Sequence, residues 1–161
     1  MTYAINFFFI FGAKYAIVLS FAVAAWCFLK APRDAQKRMI LSGVIALPLI
    51  YLTALIASHF YNNPRPFVVE NFVPLIPHAA DNGFPSDHML LASAIAAVVS
   101  FYSRRIGALL WVIALYVGIS RIYVGVHHPV DILGSAVIAI IVSLLVFWVI
   151  SFLRQKNMVH D

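Results

Sequence analysis

Three short clusters hold most of the polar chemistry in this chain. The first is Asn62-Asn63-Pro64-Arg65-Pro66 and the second Pro85-Ser86-Asp87-His88. The third is Ser120-Arg121, then five residues, His127, then three residues, Asp131. Arg65 and Arg121 carry planar forks that match phosphate oxygens and stay charged at any physiological pH. Ser86 and Asp87 stand just before an apolar run, and the free amides of a helix N-terminus bind anions. His127 and Asp131 are four apart, so on one helical face the carboxylate can orient the imidazole. Pro129, between them, suits the first turn of a helix. An oriented, neutral imidazole can attack phosphorus and form a covalent intermediate. His88 can then protonate the leaving oxygen. A lone arginine near a membrane is usually an anchor. Two arginines, two histidines and an aspartate gathered at one face are read as a functional cluster.

The rest of the chain says where that cluster lies. The 161 residues are 63% hydrophobic and 11% charged, with a mean hydropathy of +0.95. Soluble domains run at about half apolar and a quarter charged. A water-soluble fold of this length has too little interior to hide so much apolar surface. The composition therefore excludes a soluble domain, a disordered chain and a disulfide scaffold, and points to an integral membrane protein of one domain, residues 1–161. The net charge of +5 does not imply a nucleic-acid partner, because most basic residues flank apolar segments, where they orient membrane helices. Cys27 is the single cysteine and reads as a packing residue. Residues 1–13 carry no charged side chain, so a cleaved signal peptide is not expected.

Five apolar segments are expected to span: about Tyr15 to Leu29, Met39 to Phe60, His88 to Tyr102, Ile106 to Ile119 and Val130 to Leu153. Helix is the only sensible reading, since an open sheet cannot satisfy its backbone in lipid. The fold expected is an all-α, polytopic transmembrane helix bundle of about five spans. Residues Ala4 to Phe11 form either an interfacial helix or an early start of the first span. Lys30, Arg33, Lys37, Arg38, Arg104, Arg105, Arg154 and Lys156 fall on one face, which the positive-inside rule makes cytoplasmic. The three clusters then fall on the outer face, in a long loop from Tyr61 to Asp87 and a short one from Ser120 to Asp131.

These clusters resemble the signature of the type 2 phosphatidic acid phosphatase (PAP2) superfamily, Lys-x6-Arg-Pro, Pro-Ser-Gly-His and Ser-Arg-x5-His-x3-Asp. The third motif is complete as Ser120-Arg121-x5-His127-x3-Asp131. The second has Asp87 in place of Gly, and the first keeps Arg65-Pro66 with Ser58 at the Lys position. The stretches 63–68, 80–88 and 120–127 are most similar to the bacitracin-resistance type of undecaprenyl-diphosphate phosphatase. The resemblance implies a PAP2/haloperoxidase-like fold and assigns roles. His127 is the nucleophile that forms a phosphohistidine, Asp131 orients it, and His88 is the general acid. Arg65, Arg121 and Ser86 hold the phosphoryl oxygens, with Ser120 and Asp87 counted beside them. Asp87 either caps its helix or pairs with an arginine. Asn62 and Asn63 are hydrogen-bond donors near the Ser58 position. His78 and Asp81 either close over the phosphate or pack the loop. His128 reads as environment, and Glu70 as solvated.

The resemblance further implies no metal and no cofactor, because fixed cations stabilise the transition state. The implied substrate is a polyisoprenyl diphosphate, hydrolysed to the monophosphate among membrane lipids. The implied place is the outer face of the bacterial cytoplasmic membrane. Two other readings remain: a phosphatase for another lipid phosphate, such as phosphatidylglycerol phosphate, lipid A or phosphatidic acid, and a non-catalytic lipid-binding or transport protein.

Overall fold

The apolar segments fold as helices in the computed structural model, which describes residues 2–158. The elements are α1 (Thr2–Lys30), α2 (Arg33–Phe60), α3 (Pro66–Val69), α4 (Asp87–Ser100), α5 (Arg104–Tyr123) and α6 (Pro129–Met158). Among the described residues the only β pairing is an isolated bridge between Pro64 and Asn82. Four of the helices, α1, α2, α5 and α6, are long and apolar enough to cross a bilayer. The chain is a multi-pass integral membrane protein. Its outward side chains, such as Leu52, Leu55, Leu144 and Leu145, are exposed apolar groups, as lipid-facing positions require.

The breaks between helices follow from local chemistry. Pro32 opens α2 and Pro129 opens α6, each at a position where a missing N–H costs nothing. Ser103 caps α5 by accepting from the Ile106 amide at 3.4 Å. Residues 4–14 are continuous with α1, which settles the choice between a separate interfacial helix and an early start. Nothing in that stretch breaks a helix, and two tyrosines of α5 hold it. Tyr116 donates to the Phe8 carbonyl at 2.6 Å, and Tyr123 to Asn6 Oδ1 at 3.0 Å.

The third expected span is shorter than the others. α4 has 14 residues, a rise of about 21 Å against a hydrocarbon core of about 30 Å. It does not face lipid along its length. α1, α2, α5 and α6 all pack on it, and Ala92, Ser93 and Ala96 are fully enclosed. These small side chains let neighbouring backbones approach closely, which drives packing where the hydrophobic effect cannot. Gly12 of α1 does the same against α5, where a Cβ would lie 2.1 Å from Ser120 Oγ. One apolar cluster, including Ile50, Leu90, Ala94 and Ala139, joins α2, α4 and α6. Another contains Cys27, buried with Met39, Val99 and Leu110.

The basic residues collect at the end of the bundle where α1 meets α2 and α4 meets α5. There the Tyr102 hydroxyl donates to the Arg38 carbonyl at 3.0 Å and lies 2.6 Å from Ser42 Oγ. The three polar clusters lie at the other end.

Candidate active site

The loop between α2 and α4 is built around the side chain of Asn82. Its Oδ1 accepts from the amides of Asn63 and Phe84 at 2.9 and 3.0 Å. Its Nδ2 donates to Ser58 Oγ, the Ser58 carbonyl and the Tyr61 carbonyl at 3.0, 3.2 and 3.1 Å. One amide thus ties the end of α2 to both sides of the loop, and the Gly83 amide adds a 2.8 Å bond to the Asn63 carbonyl. Ser58 is thereby engaged by Asn82 and brings no charge to the site.

This scaffold aims the Gly83 carbonyl at His127, whose Nδ1 lies 2.9 Å from it. Asp131 Oδ2 is 3.4 Å from the same nitrogen. A carbonyl only accepts, so Nδ1 carries the proton and Nε2 keeps its lone pair. Nε2 faces two guanidinium groups, Arg65 Nη1 at 3.2 Å and Arg121 Nη2 at 3.4 Å.

Each charged group is fixed in turn. Arg65 is 5% exposed. It donates from Nε to Asp81 Oδ1 at 2.7 Å and from Nη1 to the Val126 carbonyl at 2.9 Å. Arg121 donates from Nη1 to the Ala13 carbonyl of α1 at 3.4 Å. Asp131 is fully buried and accepts from Asn63 Nδ2 and the His128 amide, each at 2.8 Å. The turn that carries His127 needs Gly125, at φ +81°, where a Cβ would also strike the Phe72 ring. Ser86 ends the loop at the start of α4. α6 grips its backbone, with Ser86 N 3.4 Å from the Asp131 carbonyl and Ser135 Oγ 3.0 Å from the Ser86 carbonyl.

Burial pushes the His127 imidazole below its ordinary pKa; the hydrogen bond to Asp131 opposes this, and Arg121 and Arg65 reinforce it. At neutral pH the ring is uncharged and nucleophilic. Asp81 shows the reverse balance. Burial raises its carboxyl, but the Arg65 hydrogen bond and charge outweigh that and hold it below the usual range.

The structure therefore gathers Arg65, Ser86, Arg121, His127 and Asp131 at one end of the bundle. His88, the second residue of α4, is half-buried and within electrostatic reach of Arg121 and His127. Two buried atoms here, Ser86 Oγ and Arg121 Nε, have no hydrogen-bond partner among the described residues. Donors of this kind beside two guanidiniums and a helix N-terminus fit an oxyanion such as phosphate.

Asp87 and Ser120, expected beside the phosphate group, make no hydrogen bond to Arg65, Arg121 or His127 among the described residues, although the Asp87 charge reaches Arg121 and His88. Asp87 is exposed and makes no ion pair with Arg65 or Arg121 among the described residues. It lines an apolar cavity of ≈ 300 Å³ between α2 and α4, with Leu47, Ile50, Tyr51, Leu90 and Leu91. In the first turn its charge complements the helix dipole. Ser120 is buried where α5 meets Gly12 of α1. Asn63, expected as a donor near the phosphate, is spent on Asp131. His128 contacts the Pro64 carbonyl through Nε2 at 3.1 Å, in keeping with its reading as environment. Among the described residues no group of three or more His, Cys, Asp or Glu is placed to hold a metal ion.

Sequence reasoning missed Gly83, Asn82 and the Ala13 carbonyl. The Asn-Gly pair is a turn signal and could have marked the first two. The third has none, because a backbone acceptor leaves no trace in residue type.

A helix bundle with a histidine, two arginines and a helix N-terminus at one end is the arrangement of a membrane phosphatase. Residues 37–155 match the PAP2 superfamily, and the chain belongs to that family. It is 39% identical over 145 residues to the undecaprenyl-diphosphatase BcrC of Bacillus subtilis (strain 168), across 90% of this chain and 75% of that one. It is 36% identical to the bacitracin transport permease protein BcrC of Bacillus licheniformis, across 78% of this chain and 64% of that one. The crystal structure of Aquifex aeolicus LpxE is similar with a TM-score of 0.72 at 29% identity, covering 89% of this chain and 86% of that one.

Proposed function

We propose that the protein hydrolyses undecaprenyl diphosphate, or a close polyprenyl diphosphate, to the monophosphate and inorganic phosphate. The observation that carries this reading is the lone pair of His127 Nε2 directed between two buried guanidiniums, 3.2 and 3.4 Å away. A phosphoryl group placed there meets a nucleophile and charge stabilisation together.

Nε2 attacks the terminal phosphorus, and the bond to the bridging oxygen breaks. His88, which takes up a proton as the bound diphosphate answers the arginines with negative charge, gives that proton to the departing lipid phosphate. Arg65, Arg121 and Ser86 Oγ hold the equatorial oxygens. The Nδ1 proton stays on the ring, shared between the Gly83 carbonyl and Asp131, which stabilise the charge that develops on the imidazole. In the second step His88 takes a proton from water, the water oxygen bonds phosphorus, and the P–N bond breaks to release phosphate and restore His127. Fixed cations do this work, so no metal enters the scheme.

The apolar cavity between α2 and α4 opens beside the start of α4 and suits the first isoprene units of the tail. The relatives with undecaprenyl-diphosphatase in their names favour that tail. With the basic end of the bundle cytoplasmic, the site lies at the outer face of a bacterial cytoplasmic membrane. The carrier lipid would be returned there for reuse in cell-wall synthesis.

The test is phosphate release by purified protein from undecaprenyl diphosphate, phosphatidylglycerol phosphate and phosphatidic acid, with and without EDTA. The expected result is preference for the diphosphate, insensitivity to EDTA and loss of activity in His127→Ala. Survival of near wild-type rate in His127→Ala overturns the nucleophile, and preference for another lipid overturns the substrate. Labelling a cysteine placed in the Tyr61–Asp87 loop of intact cells tests the side, and protection from an impermeant reagent overturns the outer face.

A further inference from the structure

We infer that His78 is a further substrate-binding residue, which holds the phosphate that stays on the lipid. This rests on the diphosphatase reading above.

The segment that carries His78 is tied across the site. The Leu75 amide donates to the Val124 carbonyl at 3.0 Å. Ile76, 3% exposed, is buried with Ala13, Val124 and Val126. Asp81 reaches Arg65 at 2.7 Å. Pro74 and Pro77 stiffen the chain between the ties. His78 thus has a set position, with its ring centroid 6.1 Å from that of His127 and the planes at 75°.

His78 is half-buried, and its Nδ1 lies 3.3 Å from the carbonyl of its own neighbour Ala79. Its Nε2 has no partner among the described residues and is not one of the buried atoms, so it is open to a ligand arriving from solution. The groups within electrostatic reach are those of the site: Arg65, Arg121 and Asp81, together with His88. Burial, and then the charge of Arg65, hold the imidazole below its ordinary pKa. A bound diphosphate answers those arginines with negative charge, so the ring takes up a proton and becomes a charged donor.

The geometry divides the two phosphates. Arg65 and Arg121 face Nε2 of His127 and so take the terminal phosphoryl group. Ser58 brings no charge for the second phosphate. His88 protonates the oxygen that leaves with it, and His78, within electrostatic reach of His88 and both arginines, is a donor that can meet it.

The test uses the full chain in detergent, with His78→Ala and His78→Gln. Thermal unfolding of both variants is compared with wild type to establish folding. Binding of radiolabelled inorganic pyrophosphate and orthophosphate is measured by rapid filtration, before the diphosphate can be cleaved, and turnover with farnesyl diphosphate. His78→Ala is expected to weaken pyrophosphate binding roughly tenfold, as loss of a hydrogen bond to a charged group would. Orthophosphate binding should stay within about twofold of wild type on that account. The KM for farnesyl diphosphate should rise by a similar factor with kcat little changed, and His78→Gln should recover part of the loss. Equal loss for the two ions, or no loss for either, overturns the assignment. If the wild type hydrolyses no prenyl diphosphate, the functional reading fails, and the ion-binding comparison still decides the role of His78.

Discussion

Nδ1 of His127 lies 2.9 Å from the carbonyl oxygen of Gly83. The tautomer of this proposed nucleophile is therefore set by a backbone group 44 residues away, and Asp131 shares the task at 3.4 Å. Asp131 also anchors Asn63 and the His128 amide. Asp131→Asn keeps the tautomer but offers one acceptor where two are needed. Its kcat is expected to fall about 100-fold, within the range for a positioned proton-handling group, with KM little changed. His127→Ala should abolish turnover. Steady-state phosphate release compares the two, and equal losses would deny the carbonyl its share.

Gly83 is also a steric position. A Cβ there would lie 3.0 Å from the Asn63 carbonyl and 3.1 Å from Asp131 Oδ2. Gly83→Ala must shift the loop or the carboxylate. It is expected to destabilise by about 1–3 kcal/mol, as overpacking does, and to lower kcat more than it changes KM. Thermal unfolding together with kinetics on one preparation checks both effects.

The arginines should resist conservative exchange. Arg65 uses Nε for Asp81 and Nη1 for Val126 while facing His127, and one ammonium cannot serve three directions. Arg65→Lys and Arg121→Lys are each expected to lower kcat/KM by roughly 100- to 1,000-fold, the scale for losing a preorganised transition-state donor. Near wild-type values in either variant would remove that arginine from the phosphate site.

The pH profile follows from the environment of His127. Its neutral form is the nucleophile in the proposed mechanism, and burial, with Arg121 and Arg65, keeps its pKa below the usual imidazole value. As pH falls, kcat/KM should hold through the usual imidazole range and drop only below it. Arg121→Gln removes a positive neighbour, so the acid limb of its residual activity should move upward. A wild-type limb at or above the ordinary value would contradict this electrostatic picture.

Much of the site is legible in residue types and spacing. The spacing from Arg121 to His127 to Asp131 puts a cation, an imidazole and a carboxylate around one helix-to-helix turn, and they meet there. The turn at Asn82 is legible but its role as a hub is not, since a side chain that bonds five backbone and side-chain atoms reads in sequence only as part of a turn. The orientation of Asp87 was not legible, because one step along a helix rotates a side chain by about 100° and so turns it from Ser86 and His88 toward the apolar cavity. The apolar runs located the spans, but their ends were set by features that hydropathy does not weigh, such as the Ser103 cap and the Tyr123 contact to Asn6. Residues 4–14 were ambiguous because apolar aromatic stretches suit an interface or a span equally. Only contact with α5 decides.

The short α4 has a consequence for the lipid. With about 21 Å of rise, a helix enclosed by longer neighbours starts its catalytic end below the level those neighbours reach. A diphosphate reaching that end would sit deeper than the ends of the neighbouring helices, and access to it would then depend on bilayer thickness. Reconstituted in vesicles of increasing acyl length, the enzyme should meet its substrate less easily as the membrane thickens.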